Sequence, residues 1–207
     1  MPDHRGAVAP VLRRGMLGLL AALPLLPRPA GAVPARGYNW KIIREGSQIG
    51  SHRVTFSADG ARRSARSQVE IAIRLAGFTV FRYGHDYTET WEGDRLVDYR
   101  SHSERQGRAV DCTVRPDGGG LLVAATAGAA RLPRDAAPLS WWDPAVLSRP
   151  VFDTTTGKLV EPKPLHSGNV WRLLDAPFTE ASYDAAGNWT GYTSRGDDGT
   201  AVHYEAA

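Results

Sequence analysis

Among the side chains able to do chemistry, His85 and Glu89 stand out, an imidazole and a carboxylate four positions apart in the alternating run Phe81, Tyr83, His85, Tyr87, Glu89, Trp91. If that run is extended, all six residues share one side of a sheet and form an aromatic wall with two titratable groups. Imidazole can take or give a proton near neutrality, and both groups are ordinary ligands for zinc or iron. The same extended geometry sets the pair ~13 Å apart, too far to share one ion without a bend, so no metal is expected. His52 is a further candidate. It follows Gly46-Ser47-Gln48-Ile49-Gly50-Ser51, and glycines inside a strand pattern mark a bulge or the close approach of a backbone or ligand. His102, His166 and His203 have no distinguishing context. Cys112, the single cysteine, alternates with Val110 and Val114 and reads as a buried small hydrophobe, with no intramolecular disulfide open to it. The sequence contains no Gly-x-Ser-x-Gly elbow, no phosphate-cradling glycine loop and no His-Glu-x-x-His motif, and no cofactor is expected.

These residues need a sheet to position them. Residues 69–99 read as three consecutive strands, because Val69, Ile71, Ile73 and Leu75 alternate with Gln68, Glu70 and Arg74, Gly77 breaks the pattern, and Glu92-Gly93-Asp94 supplies turn chemistry. Two registers are open for the second hairpin. A two-residue loop sets Glu92 against Arg95, Glu89 against Asp98 and His85 against His102. A three-residue loop sets Trp91 against Arg95, Glu89 against Val97 and Tyr87 against Tyr99, with the two histidines on opposite sides. The second is preferred, since it matches tyrosine with tyrosine and avoids opposing two carboxylates.

Turn signals recur at roughly ten-residue spacing along the chain, at Glu45-Gly46, Asp59-Gly60, Gln106-Gly107, Asp117-Gly118, Thr156-Gly157, Ala176-Pro177, Ala186-Gly187 and Asp198-Gly199. They separate short alternating runs at 38–44, 48–56, 108–115, 121–125, 151–153, 158–162, 170–174, 178–183, 189–194 and 200–205. The exception is Ser140-Trp141-Trp142-Asp143-Pro144, where Asp143 can cap a short helix near 144–149, Pro144 can take its first position and Trp142 can pack on Leu147. The expectation is an all-β fold: a large antiparallel, strongly curved sheet or open up-and-down barrel, with that helix and the two tryptophans closing one end.

Charge and leader narrow the function classes. The formal charge of +3 resides in residues 1–32, where Arg5, Arg13, Arg14 and Arg28 outnumber Asp3. The rest is formally neutral, so no nucleic-acid partner is expected. Arg13-Arg14, an apolar run at 16–26 and Ala30-Gly31-Ala32 read as a signal peptide cleaved after Ala32, with the paired arginines loosely matching the twin-arginine type. The run is shorter than the ~20 residues of a bilayer span, so no stable membrane span remains after cleavage. A single β-rich domain at 33–207, periplasmic or secreted, is expected.

The ordered landmarks Gly46 to His52, Tyr83-Gly84-His85 through Glu89-Thr90-Trp91, Ser140-Trp141-Trp142, Asp153 with Gly157, and Tyr183-Asp184 with Gly187 resemble a family of exported bacterial proteins, domain of unknown function 6134. The resemblance spans nearly all of the chain after the leader. It implies a secreted or periplasmic β-sheet domain and brings no activity. Trp142 stands where the family usually has asparagine, a departure that argues against a polar role for it. More remotely the pattern is similar to the family numbered 3108, which implies a curved, barrel-like sheet. The function expected on these grounds is binding of a lipid-like or amphipathic small molecule, with Phe81, Tyr83, Tyr87, Trp91 and Trp141 as walls and His85, Glu89 and His52 as polar anchors. The alternatives are a hydrolase or metal-assisted enzyme using His85 and Glu89, and an envelope scaffold or assembly factor that binds a protein partner.

Overall fold

A computed structural model describes residues 34, 36–174, 178–196 and 198–207. The leader at 1–32 and the Ala176-Pro177 turn lie outside the described residues. The alternating runs fold as β1 (Tyr38–Arg44), β2 (Ser47–Asp59), β3 (Arg62–Leu75), β4 (Phe78–Glu92), β5 (Arg95–Arg105), β6 (Arg108–Asp117), β7 (Gly120–Ala125) and β8 (Gly128–Leu132). A connecting stretch carries β9 (Ala137–Pro138), a 3-10 turn at Pro144–Val146 and β10 (Val151–Phe152). The chain then adds β11 (Leu165–Ser167), β12 (Val170–Leu173), β13 (Thr179–Tyr183), β14 (Trp189–Arg195) and β15 (Ala201–Ala206).

Thirteen of these strands form one antiparallel sheet in the order β11-β12-β13-β14-β15-β1-β2-β3-β4-β5-β6-β7-β8. It consists of two meanders joined where β15 pairs with β1, Trp40 opposite Ala206 and Arg44 opposite Val202. The sheet does not close into a barrel. Its edges are β8 and β11, short strands whose side chains are mostly exposed, which limits pairing with other chains. It does curl. Tyr192 on β14 is close enough to influence Tyr87 on β4, although four strands lie between them and a flat sheet would hold them ~24 Å apart.

The stretch between β8 and β11 fills part of the concave face. β9 and β10 pair in parallel, and Asp143 caps the 3-10 turn by accepting from the Ala145 amide at 3.1 Å, with Pro144 in first position. The expected helix near 144–149 is therefore present, but as three residues only. Residues 158–162 form no strand. Leu159 makes a single bridge to Phe152, and Pro162 and Pro164 have no N–H to offer a ladder.

Neither expected register at Gly93 is the one found. Gly93 and Asp94 make a two-residue turn with Glu92 opposite Arg95 and Trp91 opposite Leu96, and then a bulge at Val97 shifts the pairing, so Thr90 meets Asp98, Glu89 meets Tyr99 and Tyr87 meets Ser101. The physical reason is burial: Leu96 and Tyr99 are three apart and both point inward, which strict alternation forbids and one extra residue permits. The two-residue turn also keeps Glu92 within reach of Arg62 and Arg95.

Candidate functional site

The concave face has a sealed half and a half-open half. In the sealed half, the row Phe56, Ala65, Glu89, Tyr99, Val114 and Val123 runs across five adjoining pairs of strands, and Glu89 is its one charged member, 0% exposed. A carboxyl there must be hydrogen-bonded. Trp142 Nε1 donates to Glu89 Oε1 at 2.5 Å, while Trp91 Nε1 and the Ser140 hydroxyl donate to Oε2 at 3.0 and 3.3 Å. Glu89 thus clasps the connecting stretch to β4. Burial pushes its pKa up to about 7 against the pull of those donors. Arg63, one row further down, lies over the Trp91 ring at 5.4 Å and donates to the Gly93 carbonyl, near enough to Glu89 to feel its charge.

Around this clasp the interior is packed. Phe152 stands edge-on to Tyr99 at 5.2 Å and Trp142 to Phe56 at 5.0 Å. A Cβ on Gly157, which has φ +71°, would lie 2.5 Å from Val123 and 2.9 Å from Cys112, so only glycine lets that loop press so close. Cys112 lies beneath it, buried, with its thiol pushed up to about 11 by burial.

In the half-open half, His52 on β2 and His85 on β4 share a row with Trp40, Val69 and Ser103. Each imidazole meets a serine on the next row: His52 Nε2 lies 2.5 Å from Ser67 Oγ and His85 Nε2 lies 2.9 Å from Ser101 Oγ. Ser67 is also a partner of the Tyr87 hydroxyl. Burial, then the neighbouring His85, lowers His52 to about 3, so it is neutral at ordinary pH, and its Nδ1 is buried with no partner among the described residues. Burial also lowers His85, against a hydrogen bond that its ring donates to the Thr154 backbone carbonyl. The rings of Trp189 and Tyr204 stand edge-on to His52, both at 5.5 Å. Above this row Tyr83, Tyr192 and Tyr204 come together from β4, β14 and β15. Burial raises all three phenols, and the neighbouring phenols add to this for Tyr83 and Tyr204, yet each residue stays partly exposed.

The expected site residues divide between the halves. Tyr87, Glu89 and Trp91 are packed in the core rather than lining open space, while Phe81, Tyr83 and Trp141 are partly exposed and His52 and His85 lie beneath them. Trp141 leans on Tyr192 at 5.8 Å. His85 and Glu89 do not converge, because Tyr87 intervenes and the contacts already described occupy both. His102, on the opposite face, pairs with Asp111 at 2.7 Å. Trp142 does have a polar role, contrary to the expectation, since its indole N–H is the shortest contact to Glu89. Sequence reasoning missed Ser67 and Ser101, whose signal was a small polar residue at an inward position, and Tyr192 and Tyr204, which only the curl brings in. Gly50 is the close approach suspected from its spacing: a Cβ there would lie 2.0 Å from the Glu70 carbonyl oxygen.

Among the described residues no three His, Cys, Asp or Glu side chains are grouped so as to hold a metal ion, and no helix is long and apolar enough to cross a membrane. A groove of about 570 Å³, lined by Gln48, Ser51, Glu70, Arg82 and Glu104 among others, meets the candidate site at Tyr83 and includes none of His52, His85 and Glu89.

The family model described as Domain of unknown function (DUF6134) matches residues 40–207. The chain belongs to this family. The DUF6134 region thus takes in both halves of the concave face, from Trp40 to the last strand. A solved DUF1089 family protein from Pseudomonas aeruginosa is similar over 96% of this chain and 95% of its own, at 13% identity and a TM-score of 0.33. A search of curated proteins finds no match.

Proposed function

We propose that this DUF6134 chain is an exported protein of the cell envelope that binds a lipid-like or amphipathic small molecule in the half-open part of its concave face. The observation that supports this most is the convergence of Tyr83, Tyr192 and Tyr204, which gather aromatic surface inside the curl without burying it fully. Phe81 and Trp141 extend that surface, and the apolar part of a ligand would lie against these rings. The polar part would sit toward His52 and His85, where a buried Nδ1 lacks a partner and neutral imidazoles present little charge. The sealed half serves as the floor of the site. Tyr87, Glu89 and Trp91 then act as support for the walls.

The test is organic extraction and mass spectrometry of natively purified protein, followed by titration of the recovered compound against tryptophan fluorescence. A co-purifying amphipathic compound is expected, with binding weakened about tenfold or more by Tyr83→Ala or Tyr204→Ala and unchanged by Arg131→Gln at a remote surface ion pair. No compound in the extract and no fluorescence response to added lipids or detergents would overturn the reading.

A further inference from the structure

The β3–β4 hairpin ends unlike the turns on either side of it at the same end of the sheet. Those reverse at Glu45-Gly46 and Gln106-Gly107, which are polar tips suited to water. This one reverses at Ala76-Gly77, both at positive φ, and is flanked by Leu75, Phe78 and Val80, which are 69%, 76% and 49% exposed. It also runs past its ladders. β2 pairs with β3 only as far as Ile71, and β5 pairs with β4 only as far as Tyr83, so ~13 Å of two-stranded ribbon lies beyond them. Gln106 caps the inner end of this ribbon, donating to the Val80 carbonyl at 3.1 Å and accepting from the Arg82 amide at 2.8 Å. The ribbon is therefore a supported feature rather than a frayed end.

Arginines surround its base. Arg74 and Arg82 belong to the ribbon itself, Arg105 holds its guanidinium 5.3 Å from the Phe81 ring, and Arg108 lies opposite Arg105 at the adjoining turn. Arg74, Arg82 and Arg108 form no ion pair among the described residues, and the nearest acidic positions along the strands are Glu70 and Glu104. An apolar point with a basic collar matches one kind of partner, a phospholipid surface with anionic headgroups: the apolar residues enter the acyl boundary and the guanidiniums meet phosphates.

We propose that the β3–β4 hairpin is a membrane-docking element, inserting Leu75, Phe78 and Val80 into a lipid surface rich in anionic phospholipid. The inference goes beyond the ligand reading and stands even if the concave face binds nothing. It also gives the tip a geometric relation to the site, because Ile73 and Phe81 continue the inward row that contains Ile71 and Tyr83.

The experiment is flotation of the full chain with vesicles of phosphatidylethanolamine and phosphatidylglycerol, compared with vesicles of phosphatidylcholine alone. The wild type is expected to float with the anionic vesicles. Leu75→Asp with Phe78→Asp should reduce that binding about tenfold or more without changing the melting temperature, and Arg74→Gln with Arg82→Gln should reduce both binding and its salt sensitivity. Because the apolar run at 16–26 is present in every variant, the difference between variants isolates the tip. A polarity-sensitive dye on Thr79→Cys, with Cys112 buried and unreactive, should shift to the blue on the same vesicles. Equal flotation of the aspartate variant with no dye shift overturns the proposal, as does a dye shift without vesicles that tracks self-association in sizing. Loss of ligand binding in Tyr83→Ala with flotation intact would separate the two readings.

Discussion

The two halves of the concave face bury titratable groups in opposite ways. Glu89 is given three donors and almost no room, and its proton equilibrium sits near neutrality. His52 is given one hydroxyl, one orphan nitrogen and two aromatic edges, and it stays uncharged until strongly acid pH. The difference shows what each region is built to do. A carboxyl saturated by donors fastens two pieces of chain, whereas a neutral imidazole with an unused acceptor or donor leaves chemistry in reserve.

The largest expected break in this comparison comes from His52. Its folded pKa of about 3 lies below the ordinary 6.5, so the folded chain binds fewer protons than the unfolded one. The resulting contribution is fully present above pH 6.5 and is lost as pH falls toward 3, a change of about 5 kcal/mol. His52→Gln should abolish that component in denaturation measured across this range. Next, Trp142→Ala should cost about 3–5 kcal/mol, since it empties space against Phe56 and removes a donor from Glu89; urea denaturation measures it. Smaller again is Glu89 itself. Its folded pKa of about 7 lies above the ordinary 4.5, so its contribution is fully present below pH 4.5 and is lost as pH rises through 7, by about 3 kcal/mol. Relative to Glu89→Gln, the wild type should lose that much between those limits. Between pH 4.5 and 6.5 the histidine and glutamate slopes oppose each other, so the wild type should be flatter with pH than either variant.

Much of the architecture was legible in the sequence because alternation and turn residues are local signals. β1 begins and ends at Tyr38 and Arg44 as the alternation suggests, and β3 and β4 divide at Gly77. β8 and β11 left weaker traces, because edge strands have little apolar patterning to display. The β4–β5 register failed for a different reason. The bulge at Val97 is decided by Leu96 and Tyr99 both finding partners inside, Tyr99 against Phe152 from a distant part of the chain, and no window of neighbouring residues contains that information. The candidate site was legible mainly on β4, with His52 on β2 and Trp141 in the connecting stretch added from their surroundings. Spacing put Tyr83, His85 and Glu89 on one face, but it could not reveal that Trp142 would reach Glu89 or that Tyr204 would approach Tyr83, since both depend on how far the sheet curls.

The pairing of Trp40 with Ala206 has a consequence for how the molecule is made. During synthesis the amino-terminal meander emerges long before its final neighbour exists, so β1 waits with an unsatisfied row of amides and carbonyls, open to any extended segment nearby. Assembly of the sheet requires a contact between strands far apart in the sequence, a slow kind to find. A cell that makes this chain therefore has reason to shield the early meander until β15 arrives.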